Sequence, residues 1–258
     1  MLWMWVALAW ADDLEIVIPD NIGSTAEVIQ YSGGFTQKGT EKAAIDASVS
    51  ISNPVGTTVV HCTDTDVVEA RVAYTLEGSA EAPLSTYGKS VKLAVTGSAT
   101  SQSVKMLVGS KPAAVTGGKI ELIVNVPVNS KLSISSTKDW IQATGCGGSV
   151  TANAGANGVY VGGKLSSFQV SAATGDAKVQ LEGEGIIKAA SSIKAPKGNV
   201  TLTMGMSQDL KVDARGSAIV FAQNVMGTVG STVVTGTIGA GGPTLTLQAE
   251  GEINVRGH

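Results

Sequence analysis

The stretch "SFQVSAATGDAKV", Ser167–Val179, holds two short alternating runs joined by a Gly-Asp turn. Side chains at i and i+2 of a strand share a face, so each run reads as a strand with one apolar side. The phrase returns in altered form along the chain. "LSISSTKDWIQA" begins at Leu132, "VTANAGANGVYV" at Val150, "FQVSAATGDAKV" at Phe168 and "IIKAASSIKAPK" at Ile186, and each start lies 18 residues after the last. Two later copies drift in spacing: "LKVDARGSAIVF" begins at Leu210 and "LTLQAEGEINV" at Leu245. Gly, Asn and Asp hold the corners because they tolerate positive φ at little cost.

One such unit cannot bury its own apolar face, whereas stacked units bury one another. A sandwich of hairpins needs the same period-two strands, but it tolerates loops of varied length. A coil must advance by a nearly fixed path per turn. The constant step therefore predicts an all-β chain built as a β-solenoid, a β-helix-like stack of short strands with about 18 residues per rung. The expected core is Leu132, Ile134, Ile141, Val150, Ala152, Val159, Val161, Phe168, Val170, Val179 and Leu181.

Upstream the pattern is looser. "AAIDASVSISNP", "TTVVHC", "DVVEARVAYTLEG", "SVKLAVTG" and "IELIVNVPVN" read as strands. "GSAEAPLSTYGK", from Gly78 to Lys89, interrupts them and reads as a loop or a single helical turn. The expected organisation is a signal peptide over 1–11, an irregular β-rich part over 12–120 and solenoid rungs over 121–258, with one continuous elongated domain from residue 12. Such a stack needs protected ends. The irregular part is a candidate cap for one end, and the C-terminal "INVRGH" is a candidate exposed edge guarded by Arg256.

Composition agrees with this picture. The 258 residues are 43% apolar and only 4% aromatic, so Val, Ile, Leu and Ala must fill the core. The 32 glycines against 7 prolines fit many tight turns. A net charge of -3 without any Lys/Arg cluster speaks against nucleic acid or an anionic membrane surface as partner. The opening "MLWMWVALAWADD" has an apolar run too short to span a bilayer, then a small-x-small site at Ala9-Trp10-Ala11. It reads as a cleaved export signal, although no Lys or Arg precedes the run. The expected location is the periplasm, the outer surface or the extracellular space, with no membrane span in the mature chain.

The two cysteines, Cys62 and Cys146, have no zinc-like spacing. They pair as a disulfide or remain separate buried thiols, and an exporting compartment favours the disulfide.

No constellation announces a chemistry. His61 is the only internal histidine, and its neighbour Cys62 points to the opposite face of a strand, which separates a nucleophile from its base. "DTDVVE", Asp64–Glu69, lacks the ligand count and glycine of a calcium loop. "GVYVGGKL", Gly158–Leu165, approaches a phosphate loop but ends in Leu and precedes a strand rather than a helix. Glu182 with Glu184, and Glu250 with Glu252, are carboxylate pairs on one side of the chain. A glycosidase needs carboxylates opposed across a bond. Turn chemistry accounts for both pairs. Aromatic platforms are scarce, since Trp3, Trp5 and Trp10 fall in the signal segment and leave Trp140.

Several motifs resemble the bacterial putative-adhesin family. "ISNPVGTTVVHCTDTDVVEARVAY" resembles its opening strand-turn-strand, "LIVNVPVNSKLSISSTKDWIQATG" its middle signature with a Val-Pro step, and "ATGDAKV" and "AEGEINV" its recurrent rung turns. The resemblance runs from about Ser24 to the C-terminus. It departs at the cysteine pair and at the insert "MGTVGSTVVTGTIGAGG". It implies an exported β-solenoid with no catalytic residues. The expectation is a non-enzymatic adhesin-like or cell-envelope structural and binding module, without catalytic, cofactor-binding or metal residues and without a cofactor. The candidate partners are an extended glycan or an envelope protein, met on a flat Thr/Ser/Asn/Lys-rich side. The alternatives are a polysaccharide-acting enzyme on a β-helix and a periplasmic accessory or sensor module.

Overall fold

The computed structural model describes residues 28–39, 42–183 and 187–257. The expected signal segment, Glu184 and Ile186 lie outside those residues. The first half contains β1 (Ile29–Lys38), β2 (Ser48–Asn53), β3 (Thr57–Thr63), β4 (Glu69–Gly78), α1 (Glu81–Ser90), β5 (Lys92–Ser98), β6 (Ser101–Leu107) and β7 (Val115–Pro127). Then come β8 (Lys131–Ser136), β9 (Ile141–Cys146), β10 (Ser149–Ala154), β11 (Val159–Gly163), β12 (Ser167–Ala172), β13 (Ala177–Leu181), β14 (Ser191–Ala195) and β15 (Val200–Met204). The last segment supplies β16 (Leu210–Arg215), β17 (Ala218–Phe221), β18 (Met226–Val229), β19 (Val233–Ile238), β20 (Thr244–Ala249) and β21 (Glu252–Gly257).

The fold is all-β, with two open mixed sheets and one helix among the described residues. One sheet has ten strands in the order β1-β4-β7-β3-β9-β11-β13-β15-β21-β17. The other has eleven, ordered β18-β19-β16-β20-β14-β12-β10-β8-β2-β6-β5. The 18-residue step appears directly as parallel register. Val150 stands opposite Leu132 on one side and Phe168 on the other, while Val159 stands opposite Ile141 and Ala177. Successive strands of the chain thus alternate between the sheets, and equivalent residues of successive copies stack. All eleven expected core residues are buried.

Three expectations are corrected. The fourth copy does not begin at Ile186: Val170 faces Ile193 and Ala177 faces Val200, each 23 residues on. The five extra residues lie in the corner between β13 and β14, where register does not limit chain length. "INVRGH" is not an edge. Its strand β21 is paired on both sides, with β15 and β17, and β20 likewise lies between β14 and β16. The final strand pair has slotted between two earlier ones, and the free edges at that end of the sheets are β17 and β18. The stretch after Gly78 is a ten-residue helix rather than a loop or single turn. Pro83 is tolerated because the first helical turn has no internal partner for its missing N–H. Gly88 seats the helix, since a Cβ there would meet Tyr31 and Tyr74, whose rings stack with centroids 6.1 Å apart. Leu84 and Tyr87 of the same helix are buried.

Candidate functional site

The alternation that buries one side of each strand leaves the other side to solvent. On the eleven-stranded sheet the register aligns those outward residues into columns. One runs Ser103, Ser50, Ser133, Thr151, Gln169, Ser192, Thr246, Asp213 and Thr235 on consecutive strands. Its eight steps span roughly 38 Å at the usual strand spacing. Beside it, Ser52, Ser135, Asn153 and Ser171 form a second uncharged run, closed by Lys105 at one end and Lys194 at the other. This is the flat Ser/Thr/Asn/Lys side expected from the sequence. Its central strands present hydroxyls and amides, groups that both donate and accept.

The ten-stranded sheet presents a different surface. Tyr160 lies between Gln142 and Lys178 on the neighbouring strands. Its hydroxyl donates to Gln180 Oε1 at 3.0 Å, and its ring lies over Gly162, where a Cβ would sit 2.9 Å from the hydroxyl. His61 Nδ1 stands 3.3 Å from Thr144 Oγ1 on the adjacent strand. Sequence reasoning missed Tyr160 as a half-buried aromatic on the outward side of its strand. The signal was Tyr followed by Gly two places on, in one strand.

Polar side chains knit one corner of the stack. Asp139 Oδ1 accepts from Asn157 Nδ2 at 3.0 Å and from the Trp140 N–H at 2.8 Å, and Asp139 Oδ2 accepts from the Thr57 hydroxyl at 3.2 Å. Partial burial pushes the Asp139 carboxyl up, but these three hydrogen bonds and the charge of Lys119 together hold it below its ordinary value. Further along, Asp176 accepts from the Asn199 N–H at 2.9 Å, and Asn199 accepts from the Glu252 N–H at 2.8 Å. Asn157 takes a positive φ of 63° to make its turn. These residues perform corner work, which is the chemistry expected of Asn and Asp there.

The cysteines pair. Cys62 on β3 is joined to Cys146 on β9, with Cα atoms 4.9 Å apart and a sequence separation of 84. The bond fastens a strand of the irregular first half to a strand of the regular stack.

The remaining sequence candidates are not brought together. Asp66 forms an exposed ion pair with Lys42 at 2.7 Å. The shared hydrogen bond, then the charges, lower the Asp66 pKa and raise that of Lys42. Among the described residues no group of three or more His, Cys, Asp or Glu is placed to hold a metal ion. Gly158–Leu165 contains β11 and runs on into β12 rather than into a helix. Glu182 and Glu250 are exposed, while Glu252 Oε1 accepts from Asn254 at 3.2 Å. No helix among the described residues is long and apolar enough to cross a membrane.

No protein-family model matches the chain, and no curated protein does either. Solved structures do. A putative cell adhesion protein from Clostridium sporogenes is 12% identical with a TM-score of 0.54, over 88% of this chain and 100% of its own. A putative adhesin from Bacteroides fragilis is 11% identical with a TM-score of 0.40, over 88% of this chain and 97% of its own. With the Clostridium sporogenes protein this chain shares its fold.

Proposed function

We propose that this chain is an exported, non-enzymatic, adhesin-like module of the cell envelope, built as a β-solenoid with a signal peptide over 1–11. On this reading residues 12–120 form the irregular end and 121–258 the repeating body. The observation that carries the proposal is the outward hydroxyl and amide column of the eleven-stranded sheet. Such a surface suits many weak polar contacts with an extended partner, a glycan or an envelope protein, rather than the enclosure of one small substrate. The disulfide supports an oxidising compartment. The Clostridium sporogenes neighbour, described as a cell adhesion protein, supports the adhesive role.

Protease shaving of intact producing cells, followed by fractionation and a blot, tests the reading. Cleavage from outside is the expected result. Protection until the outer envelope is opened would remove the adhesive role and leave a periplasmic accessory module.

A further inference from the structure

The chain as a whole is acidic, with a net charge of -3. The eleven-stranded sheet is not. Its strands hold Lys92, Lys105, Lys131, Lys194, Lys211 and Arg215 against a single carboxylate, Asp213. Other acids serve in corners, where Asp139, Asp176 and Asp209 accept backbone N–H groups. Asp46 and Glu250, like Asp209, fall beyond the strand ends. On the ten-stranded sheet the two signs are mixed. Lys38 lies 3.7 Å from Glu69 and Lys119 lies 3.4 Å from Glu121, and Glu77 and Glu252 lie on its strands as well.

Parallel register arranges the cations of the eleven-stranded sheet around its hydroxyl and amide column. Lys105, Lys194 and Arg215 stand in one row, two residues after Ser103, Ser192 and Asp213 of that column. Lys131 and Lys211 stand two residues before Ser133 and Asp213, in a row on the column's other side. In each row the two lysines are five strands apart, roughly 24 Å at the usual strand spacing. The rows themselves lie about 13 Å apart along the strands. All four lysines are exposed, and among the described residues none forms an ion pair with a carboxylate. Arg215 alone is answered, by Asp213 at 3.3 Å. A face of one charge sign raises the local concentration of the opposite charge. The sequence conceals this face because its cations are scattered from Lys92 to Arg215 and meet only through register.

We propose that this face binds a carboxylated polysaccharide, laid across the strands along the central column with its carboxylates met by the two lysine rows. The inference rests on the adhesive reading above and supplies its ligand class. Three features choose a glycan over other polyanions. The positive charge is sparse: between Lys105 and Lys194 the row holds Ser52, Ser135, Asn153 and Ser171, which suit sugar hydroxyls. A nucleic acid strand carries a charge about every 3.4 Å, far denser than these lysines. Bases also need aromatic side chains to stack on, and the one aromatic on the strands of this sheet, Phe168, is buried. A lipid surface takes up exposed apolar side chains, and strands β2, β8, β10, β12, β14, β20 and β16 expose no large one.

Calorimetric titration of the purified full chain with polygalacturonate and with its methyl ester, over a salt series, tests this. The two polymers share a backbone and differ in charge. The acid form is expected to bind and the ester not, with affinity falling as salt rises. Lys105→Gln with Lys194→Gln is expected to raise Kd about fivefold, because exposed ion pairs are individually weak. Lys178→Gln with Arg256→Gln removes the same charge from the ten-stranded sheet and is expected to leave Kd unchanged. All four side chains are exposed, so both variants should keep the parent's circular dichroism and melting midpoint. Equal binding of acid and ester, or equal weakening by the two variants, would overturn the role of the lysine rows while leaving a polar adhesive surface standing. Tighter binding of a single-stranded DNA oligomer or of phosphatidylglycerol vesicles than of polygalacturonate would replace the glycan with nucleic acid or membrane. Binding of none of these probes would also overturn the proposal, and the adhesive reading would then rest on the shaving of intact cells alone.

Discussion

Between Lys131 and Leu181 each strand finds its neighbour one short circuit away, and Val150 meets Leu132 and Phe168 at 18 residues on either side. In the first half the same geometry is reached from afar. Val49 meets Leu132 across 83 residues, and Thr58 meets Ile141 across the same distance. The core is continuous through both regions, but its order has different origins. The middle is specified by repetition, so each copy needs only the copy before it. Apart from the β5–β6 hairpin, the first half rests on more distant pairings, whose loop-closure entropy must be met before those contacts form. The disulfide sits at this seam.

Removing the seam should separate the two regions most sharply. Closing a loop of 84 residues stabilises a fold by about 4.6 kcal/mol in the chain-entropy model. The Cys62→Ala/Cys146→Ala chain is expected to lose up to about that much in denaturant titration. Hydrogen exchange should then show β1 to β7 opening before β8 to β13. Equal protection of both regions would erase the distinction.

Phe168→Ala strikes the middle alone. Phe168 is among the largest fully buried side chains, and truncation should cost about 3–5 kcal/mol. Its neighbours in the column, Val150 and Ser191, cannot refill the space. A loss under about 1 kcal/mol would mean that the repeat tolerates cavities that ordinary cores do not.

The smallest expected effect lies at the corner. Asp139→Asn keeps the shape but weakens three hydrogen bonds, and should cost about 1 kcal/mol at neutral pH. The folded-state pKa of Asp139 is depressed, so its contribution is present above the unfolded-state pKa. It is lost as pH falls through the folded-state value. Melting curves of parent and variant should therefore converge in acid, and a gap independent of pH would refute the charge's role.

The regular middle was legible because sequence step and spatial register are the same quantity there. Leu132, Val150 and Phe168 announce their stacking by spacing alone. The end of the chain was not legible for the converse reason: nothing in "LTLQAEGEINV" says that it pairs with Ser191–Ala195 on one side and Leu210–Arg215 on the other. Copies that share one pattern do not encode their order. Strands β1 and β6 were missed because "IQYSGGFTQK" and "SQSVKML" carry weak alternation. The helix was hidden by Pro83 and Gly88, and the second of these is there for Tyr31 and Tyr74 rather than for the helix. The disulfide was foreseen as one of two outcomes, and the compartment argument favoured the right one. The polar face was foreseen as a class of surface, while Tyr160 waited on seeing its ring above Gly162.

The slotted position of β20 and β21 bears on how the chain is made. A ribosome delivers β16 to β19 before the strands that connect them to the rest. Until the last residues emerge, β16 and β17 lack the neighbours that join them to β14 and β15, and they must wait as a loop of nascent chain. A polypeptide halted before Thr244 therefore forfeits two strand pairs for the loss of one. Arrival of the last two strands and completion of that end of the stack become a single event.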